Sequence, residues 1–232
     1  MKTIGLIGGM SWESTGEYYR LINEEVKKRL GGLHSAKCLL YSVDFAEIEQ
    51  CQMKNNWDKA ADILASAAKK LRKRAGADFL VLCTNTMHKV APEIEKATKL
   101  PLLHIADATA KKIKEHGVKK IGLLGTSYTM EQAFYKERLL TNGIDILIPN
   151  KHERNIVNKV IFEELCLGDI RYPSKETYKK IIHDLINAGA EGIILGCTEI
   201  TLLIDQADSN VPLFDTTSIH ALTAVEKTLQ NK

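Results

Sequence analysis

A chain of 232 residues can bury most of its apolar surface without disulfide or metal staples, as one large domain or two smaller ones. With 44% hydrophobic residues, 26% charged residues and only 5 prolines, it is not a disordered, collagen-like or coiled-coil chain. The formal net charge is +3 with the signs interspersed, so no basic stripe or like-charge block argues for nucleic acid or an anionic membrane.

Residues 4–7 form a short apolar run of the kind found in a parallel strand buried on both faces. Tyr18, Ile22, Val26 and Leu30 follow at helical spacing, and Gly31-Gly32 stops that helix. Residues 38–43 read as a second strand. Asn55 or Asn56 then caps a helix with Trp57, Ala60, Leu64, Ala67, Ala68 and Leu71 on its buried stripe, ended at Gly76. Further strands are predicted at 78–82 and near 100–104, 119–124, 144–148, 190–195 and 211–214, each followed by a helical period. Such alternation predicts an α/β fold of mainly parallel, doubly wound sheets with crossover helices on both faces.

The chain also repeats itself. Ile4-Gly5-Leu6-Ile7-Gly8-Gly9 is echoed by Ile121-Gly122-Leu123-Leu124-Gly125-Thr126. Ala75-Gly76-Ala77-Asp78 through Cys83-Thr84 is echoed by Ala188-Gly189-Ala190-Glu191 through Cys197-Thr198, with one inserted glycine. Leu100-Pro101-Leu102-Leu103 is echoed by Val211-Pro212-Leu213-Phe214. Two related halves are therefore expected: 1–100 plus 213–232 as an N-terminal domain, and 101–212 as a C-terminal one.

Five cysteines, Cys38, Cys51, Cys83, Cys166 and Cys197, make an odd count without a CxxC pair, which argues against a disulfide framework or a zinc ribbon. The apolar run at the N-terminus breaks at Gly8-Gly9, too short for a signal-peptide core, and nothing approaches the ~20 apolar residues of a membrane span. A reduced, cytoplasmic protein is expected. Cys38, Cys51 and Cys166 lack a repeat partner and read as small buried hydrophobes. Cys83 and Cys197 are matched, and both fall past a strand's C-terminal end, where open α/β sheets bind ligands.

If the halves face one another across a pseudo-two-fold axis, the two cysteines approach one ligand in the cleft from opposite sides. A helix starting after each would favour thiolate and bring its pKa from about 8.5 toward neutrality. One sulfur as base and the other as acid could move a proton from one face of a carbon to the other. With each sulfur ~3–3.5 Å from the carbon they stand ~6–7 Å apart, too far for a disulfide. Thr84, Asn85, Thr86, Thr126 and Thr198 supply donors for the developing charge. Gly5-x-x-Gly8-Gly9 is not a dinucleotide fingerprint, no phosphate-loop motif occurs, and no histidine pair has metal-ligand spacing. His88, next to the first cysteine motif, reads as a helix-surface histidine.

The motifs Ile4-Gly5-Leu6-Ile7-Gly8-Gly9-Met10-Ser11-Trp12-Glu13-Ser14, Ser42-Val43-Asp44-Phe45 with Glu47-Ile48-Glu49, Cys83-Thr84-Asn85-Thr86-Met87-His88 and Gly196-Cys197-Thr198-Glu199 occur in this order along the whole chain. In this it resembles the cofactor-independent aspartate/glutamate racemases. The resemblance implies two pseudosymmetric α/β domains, a homodimer, a free amino acid as the small-molecule partner, and neither pyridoxal phosphate nor a metal. It implies Cys83 and Cys197 as the acid/base pair, with substrate contacts at Met10, Gln52, Thr84, Asn85, Thr86, Thr198 and Glu199. Glu199 stands where the glutamate racemases of cell-wall synthesis have His, which is nearer the aspartate racemase branch. The Arg and Lys that hold an acidic side chain in some members are absent from Asp44-Phe45-Ala46-Glu47 and Glu164-Leu165-Cys166-Leu167, so neutral or broader substrates become plausible. Maleate isomerases, hydantoin racemases and arylmalonate decarboxylases are similar in architecture. An amino-acid-binding regulator without catalysis is the non-enzymatic alternative.

Overall fold

The computed structural model of the chain describes residues 1–230. They form two compact units, one made of Met1–Ile105 and the chain from His220 onward, the other of Ala106–Ile219.

The first unit carries β1 (Ile4–Gly8), α1 (Trp12–Leu30), β2 (Cys38–Ser42), α2 (Phe45–Met53), α3 (Trp57–Ala75), β3 (Phe79–Leu82), α4 (Ala91–Thr98), β4 (Leu102–Leu103) and the first residue of α5 (Ile105–Glu115). The second holds the rest of α5, then β5 (Lys120–Gly125), α6 (Ser127–Glu131), α7 (Ala133–Thr141), β6 (Asp145–Leu147), α8 (Lys151–Glu163), α9 (Tyr172–Asn187), β7 (Gly192–Gly196) and β8 (Leu213–Asp215). The boundary in the final helix, α10 (Thr216–Leu229), falls after Ile219.

Each unit has a four-stranded sheet, ordered β2-β1-β3-β4 in one and β6-β5-β7-β8 in the other, with every pairing parallel. The repeat seen in the sequence is thus a repeat of strand order. In the first sheet the pleat sorts side chains by alternation. Ile4, Leu6, Phe79, Val81 and Cys83 meet Tyr18, Ile22 and Val26 of α1 and Ala221, Ala224 and Val225 of α10. Ile7, Leu80 and Leu82 meet Ile48 of α2, the Ala60, Leu64, Ala67, Ala68, Leu71 stripe of α3 and Ile94 of α4. Helices on both faces make the unit doubly wound, as its sequence predicts.

Local signals explain the element ends. Ser11 caps α1, its Oγ accepting from Ser14 N at 3.3 Å. Asn56 rather than Asn55 caps α3, accepting from Lys59 N at 3.2 Å, and Gly76 closes that helix in the left-handed region at φ 72. One expectation fails. No α-helix follows β7; two short 3₁₀ turns, Thr198–Leu202 and Gln206–Asp208, lead to β8 instead. Side chains here compete with helical hydrogen bonds: Thr201 Oγ1 donates to the Thr198 carbonyl, and Asp205 caps the second turn through Ala207 N. Among the described residues no helix is long and apolar enough to cross a membrane.

Candidate active site

In each sheet two neighbouring central strands send their connections to opposite sides, β1 and β3 in one, β5 and β7 in the other. The carboxyl ends of such a pair mark a switch point, where open parallel sheets leave room for ligands. Cys83 stands one residue past β3 and Cys197 one residue past β7.

At the first switch point the backbone is held tightly. Cys83 N donates to the Ile7 carbonyl at 2.9 Å, and Ser14 Oγ makes a long contact, 3.5 Å, with the Cys83 carbonyl. Gly9 N donates to Thr15 Oγ1 at 2.8 Å, and that hydroxyl donates on to the Ser11 carbonyl at 2.8 Å. The turn after β1 is therefore locked to the start of α1. Strand alternation carries the buried Cys83 side chain onto the face covered by α1 and α10. Thr84 is half-buried, and Asn85 and Thr86 are buried at the entry to the 3₁₀ turn Thr86–Val90. Met10 packs with Ile48, Cys51 and Met87, while Gln52 Nε2 donates to Met87 Sδ at 3.1 Å. All six predicted residues of this half lie in one unit, but Met10 and Gln52 belong to the core on the opposite sheet face from Cys83.

The second switch point has different chemistry. The Cys197 thiol donates to Glu199 Oε2 at 2.9 Å, and Thr198 Oγ1 donates to the same oxygen at 2.6 Å. Glu199 is buried, Cys197 half-buried. The corresponding residue after Cys83-Thr84 is Asn85, and the Cys83 thiol points instead to the Val81 carbonyl at 4.0 Å. The resemblance implies a substrate contact at Glu199, and in the structure its carboxylate accepts the Cys197 hydrogen bond.

The expected thiolates near neutrality are not found. Burial pushes the Cys83 thiol up, with a smaller contribution from Cys38. Burial and then the Glu199 carboxylate push Cys197 well up. Five-residue 3₁₀ segments follow both cysteines, the first running on into α4, and loss of hydration outweighs any favourable field at their starts. His88 is corrected as well: it is 1% exposed rather than on a helix surface. Its Nδ1 lies 2.7 Å from the Thr84 carbonyl and its Nε2 3.2 Å from Ile105 N. Among the described residues no three His, Cys, Asp or Glu side chains form a group that could hold a metal ion.

A family model described as Asp/Glu/Hydantoin racemase matches residues 7–224. The chain belongs to that family. Broad specificity amino-acid racemase RacX from Bacillus subtilis is 28% identical over 229 residues, covering 96% of this chain and 96% of that protein. A crystal structure of a Yersinia pestis protein assigned to the Asp/Glu racemases is 59% identical with a TM-score of 0.93, covering 99% of this chain and 100% of that one. That of an aspartate racemase homologue from Pyrococcus horikoshii is 36% identical with a TM-score of 0.86, again over 99% and 100%.

Proposed function

We propose that this protein is an amino-acid racemase that removes and returns an α-proton with Cys83 and Cys197 and requires no cofactor. The observation that carries the reading is the equivalence of the two thiols, each one residue beyond the third strand of its repeat. A reaction whose two directions are near mirror images suits two matched acid/base groups. The relatives' names support free amino acids as substrates. After β2 the chain runs Val43-Asp44-Phe45-Ala46, and Asp44 accepts from Ala46 N at 3.1 Å as the cap of α2. No guanidinium follows there to form a bidentate clamp on a second carboxylate, which favours a substrate range broader than aspartate and glutamate.

Both sulfurs start as thiols. In one direction the Cys197 S–H bond breaks and an O–H bond forms on Glu199. The thiolate then takes the α-proton, and the Cys83 thiol delivers its proton to the other face of the carbon. Loss of the Glu199 proton to solvent, with uptake of one from solvent by the Cys83 thiolate, restores the starting state. A thiolate made unstable by burial is a stronger base once formed, which suits a weakly acidic carbon. The carbanion's charge spreads into the carboxylate, where Thr84, Asn85, Thr86 and Thr198 are the candidate donors.

Incubation of the reduced protein with the proteinogenic amino acids in deuterium oxide, followed by chiral chromatography, tests this. Inversion should accompany α-deuteration, and Cys83→Ala or Cys197→Ala should each lower racemisation by about 10²–10⁴-fold. Full interconversion of both enantiomers by Cys83→Ser would overturn the mechanism. Thermal stabilisation by an amino acid without inversion would instead support a binding protein.

A further inference from the structure

Beside the loop after Cys83 lies a buried group of aromatic polar side chains that the reaction does not use directly. His88 stacks obliquely on His104 with ring centroids 4.5 Å apart, and its centroid is 5.6 Å from that of His220. His220 Nε2 is 2.8 Å from the Leu103 carbonyl, and its Nδ1 is 2.8 Å from Tyr18 Oη. A carbonyl oxygen only accepts and a backbone N–H only donates, so these neighbours dictate proton positions. At His88 the Thr84 carbonyl requires a proton on Nδ1, and the Ile105 N–H requires a bare Nε2. Only the neutral ring satisfies both. Burial, then His104 and His220, hold its pKa well below the usual histidine range.

This ring therefore ties the residue after Cys83 to the start of α5. Cys83 itself is bonded through its own N–H to Ile7 and through its carbonyl to Ser14. The Thr84 carbonyl is the next link, and the His88 side chain holds it. We propose that His88 is a positioning residue for Cys83, its Nδ1–H fixing the Thr84 peptide and with it the orientation of the Cys83-Thr84-Asn85 segment. Both ring nitrogens are engaged by backbone groups, the Thr84 carbonyl and the Ile105 N–H, so the ring acts through the backbone. The proposal rests on the reading of Cys83 as an acid/base group, because only then does its orientation matter to turnover.

Two substitutions separate the two hydrogen bonds. In His88→Asn the side-chain amide nitrogen stands near the place of Nδ1 and keeps the Thr84 bond. In His88→Gln the longer amide reaches the place of Nε2 and keeps the Ile105 bond. Misplacement of a reacting group by about 1 Å costs on the order of 10²-fold in rate. His88→Gln should therefore lose about that much kcat, with a much smaller change in KM, and amide hydrogen exchange over 83–86 should accelerate. His88→Asn should stay near the unsubstituted protein in both. Parallel losses in the two variants that follow their melting temperatures would overturn the proposal, as would a Gln variant with unchanged kcat and exchange. Should the Gln variant fail to fold, the unsubstituted protein labelled with ¹⁵N-histidine decides. His88 must show a protonated Nδ1 and a bare Nε2 at pH 7, and the opposite tautomer or an imidazolium sinks the idea. Exchange and ¹⁵N shifts need no turnover, so a protein that fails to racemise would refute the racemase reading while these measurements still judged His88.

Discussion

Gly9 is a residue whose side chain, or lack of one, is dictated by its surroundings. Its φ is 95, and a Cβ there would stand 2.1 Å from the Val43 carbonyl oxygen and 2.7 Å from Val43 N. Val43 N in turn donates to the Gly8 carbonyl at 2.9 Å, so β2 leaves the sheet against the turn after β1 and no side chain fits between them. Gly9→Ala should therefore destabilise the protein by at least about 1–3 kcal/mol through backbone strain alone. Urea unfolding would show this as a lowered midpoint, and an unchanged midpoint would mean that the turn relaxes freely. The Asn85–Glu199 contrast belongs to the same scale. The carboxylate at one of the matched positions gives the Cys197 thiol an acceptor at 2.9 Å, whereas the Cys83 thiol has the Val81 carbonyl at 4.0 Å, although the strands that carry them are alike.

Among the elements, α8 has the most complete local specification. Asn150 Oδ1 accepts from Glu153 N at 3.0 Å, and Glu153 Oε2 accepts from Asn150 N at 3.1 Å. This reciprocal capping box satisfies two end donors that helical geometry leaves open. Asn150→Ala should cost about 1 kcal/mol, seen as a lower melting temperature, while kcat stays as it was because α8 supplies no site residue. A drop in kcat without a drop in stability would show that α8 shapes the site. The 3₁₀ turns after Cys83 and Cys197 differ in kind. Their sequences hold neither a sustained apolar stripe nor an effective cap, and their geometry follows from the partners that Thr84, His88 and Glu199 find.

For the whole molecule, the buried histidines tie stability to pH. Burial lowers His220 to about 4 from the usual 6.5, although the Leu103 carbonyl opposes the shift, and His88 is lowered further than its neighbours' bonds can offset. The unfolded chain protonates both near 6.5, so between that pH and their folded values it binds more protons than the folded protein. Stability is then complete above pH 6.5 and falls as pH drops below it, by about 1.4 kcal/mol per pH unit for each histidine. Glu25, held low first by its hydrogen bond to Arg29, and Glu191, held low by the Lys119 and Lys120 amides, act in the same direction only below their ordinary value of 4.5. The histidine window is therefore separable. Melting temperature should decline from pH 7 to pH 5, with uptake of about two protons on unfolding near pH 5.5. Unfolding there without proton uptake would show that these rings are already charged in the native state.

Strand identity, the two-fold repeat and the place of Cys83 and Cys197 were legible in the sequence alone. They rest on apolar runs, glycine stops and matched tetrapeptides, all of which are local. Doubly wound parallel sheets followed from the alternation of those runs with helical stripes. Local pattern does not report hydration or long-range partners, and the remaining features depend on both. The acid strength of the two thiols is not legible locally, because burial outweighs the segments that follow them. His88 reads as a surface residue from its flanks, and the arrival of His104, Ile105 and His220 from distant parts of the chain encloses it. The carboxylate beside the Cys197 thiol likewise emerges only from the fold of the turn, because a carboxylate two residues along a chain can point to solvent or to sulfur, and packing alone chooses between them.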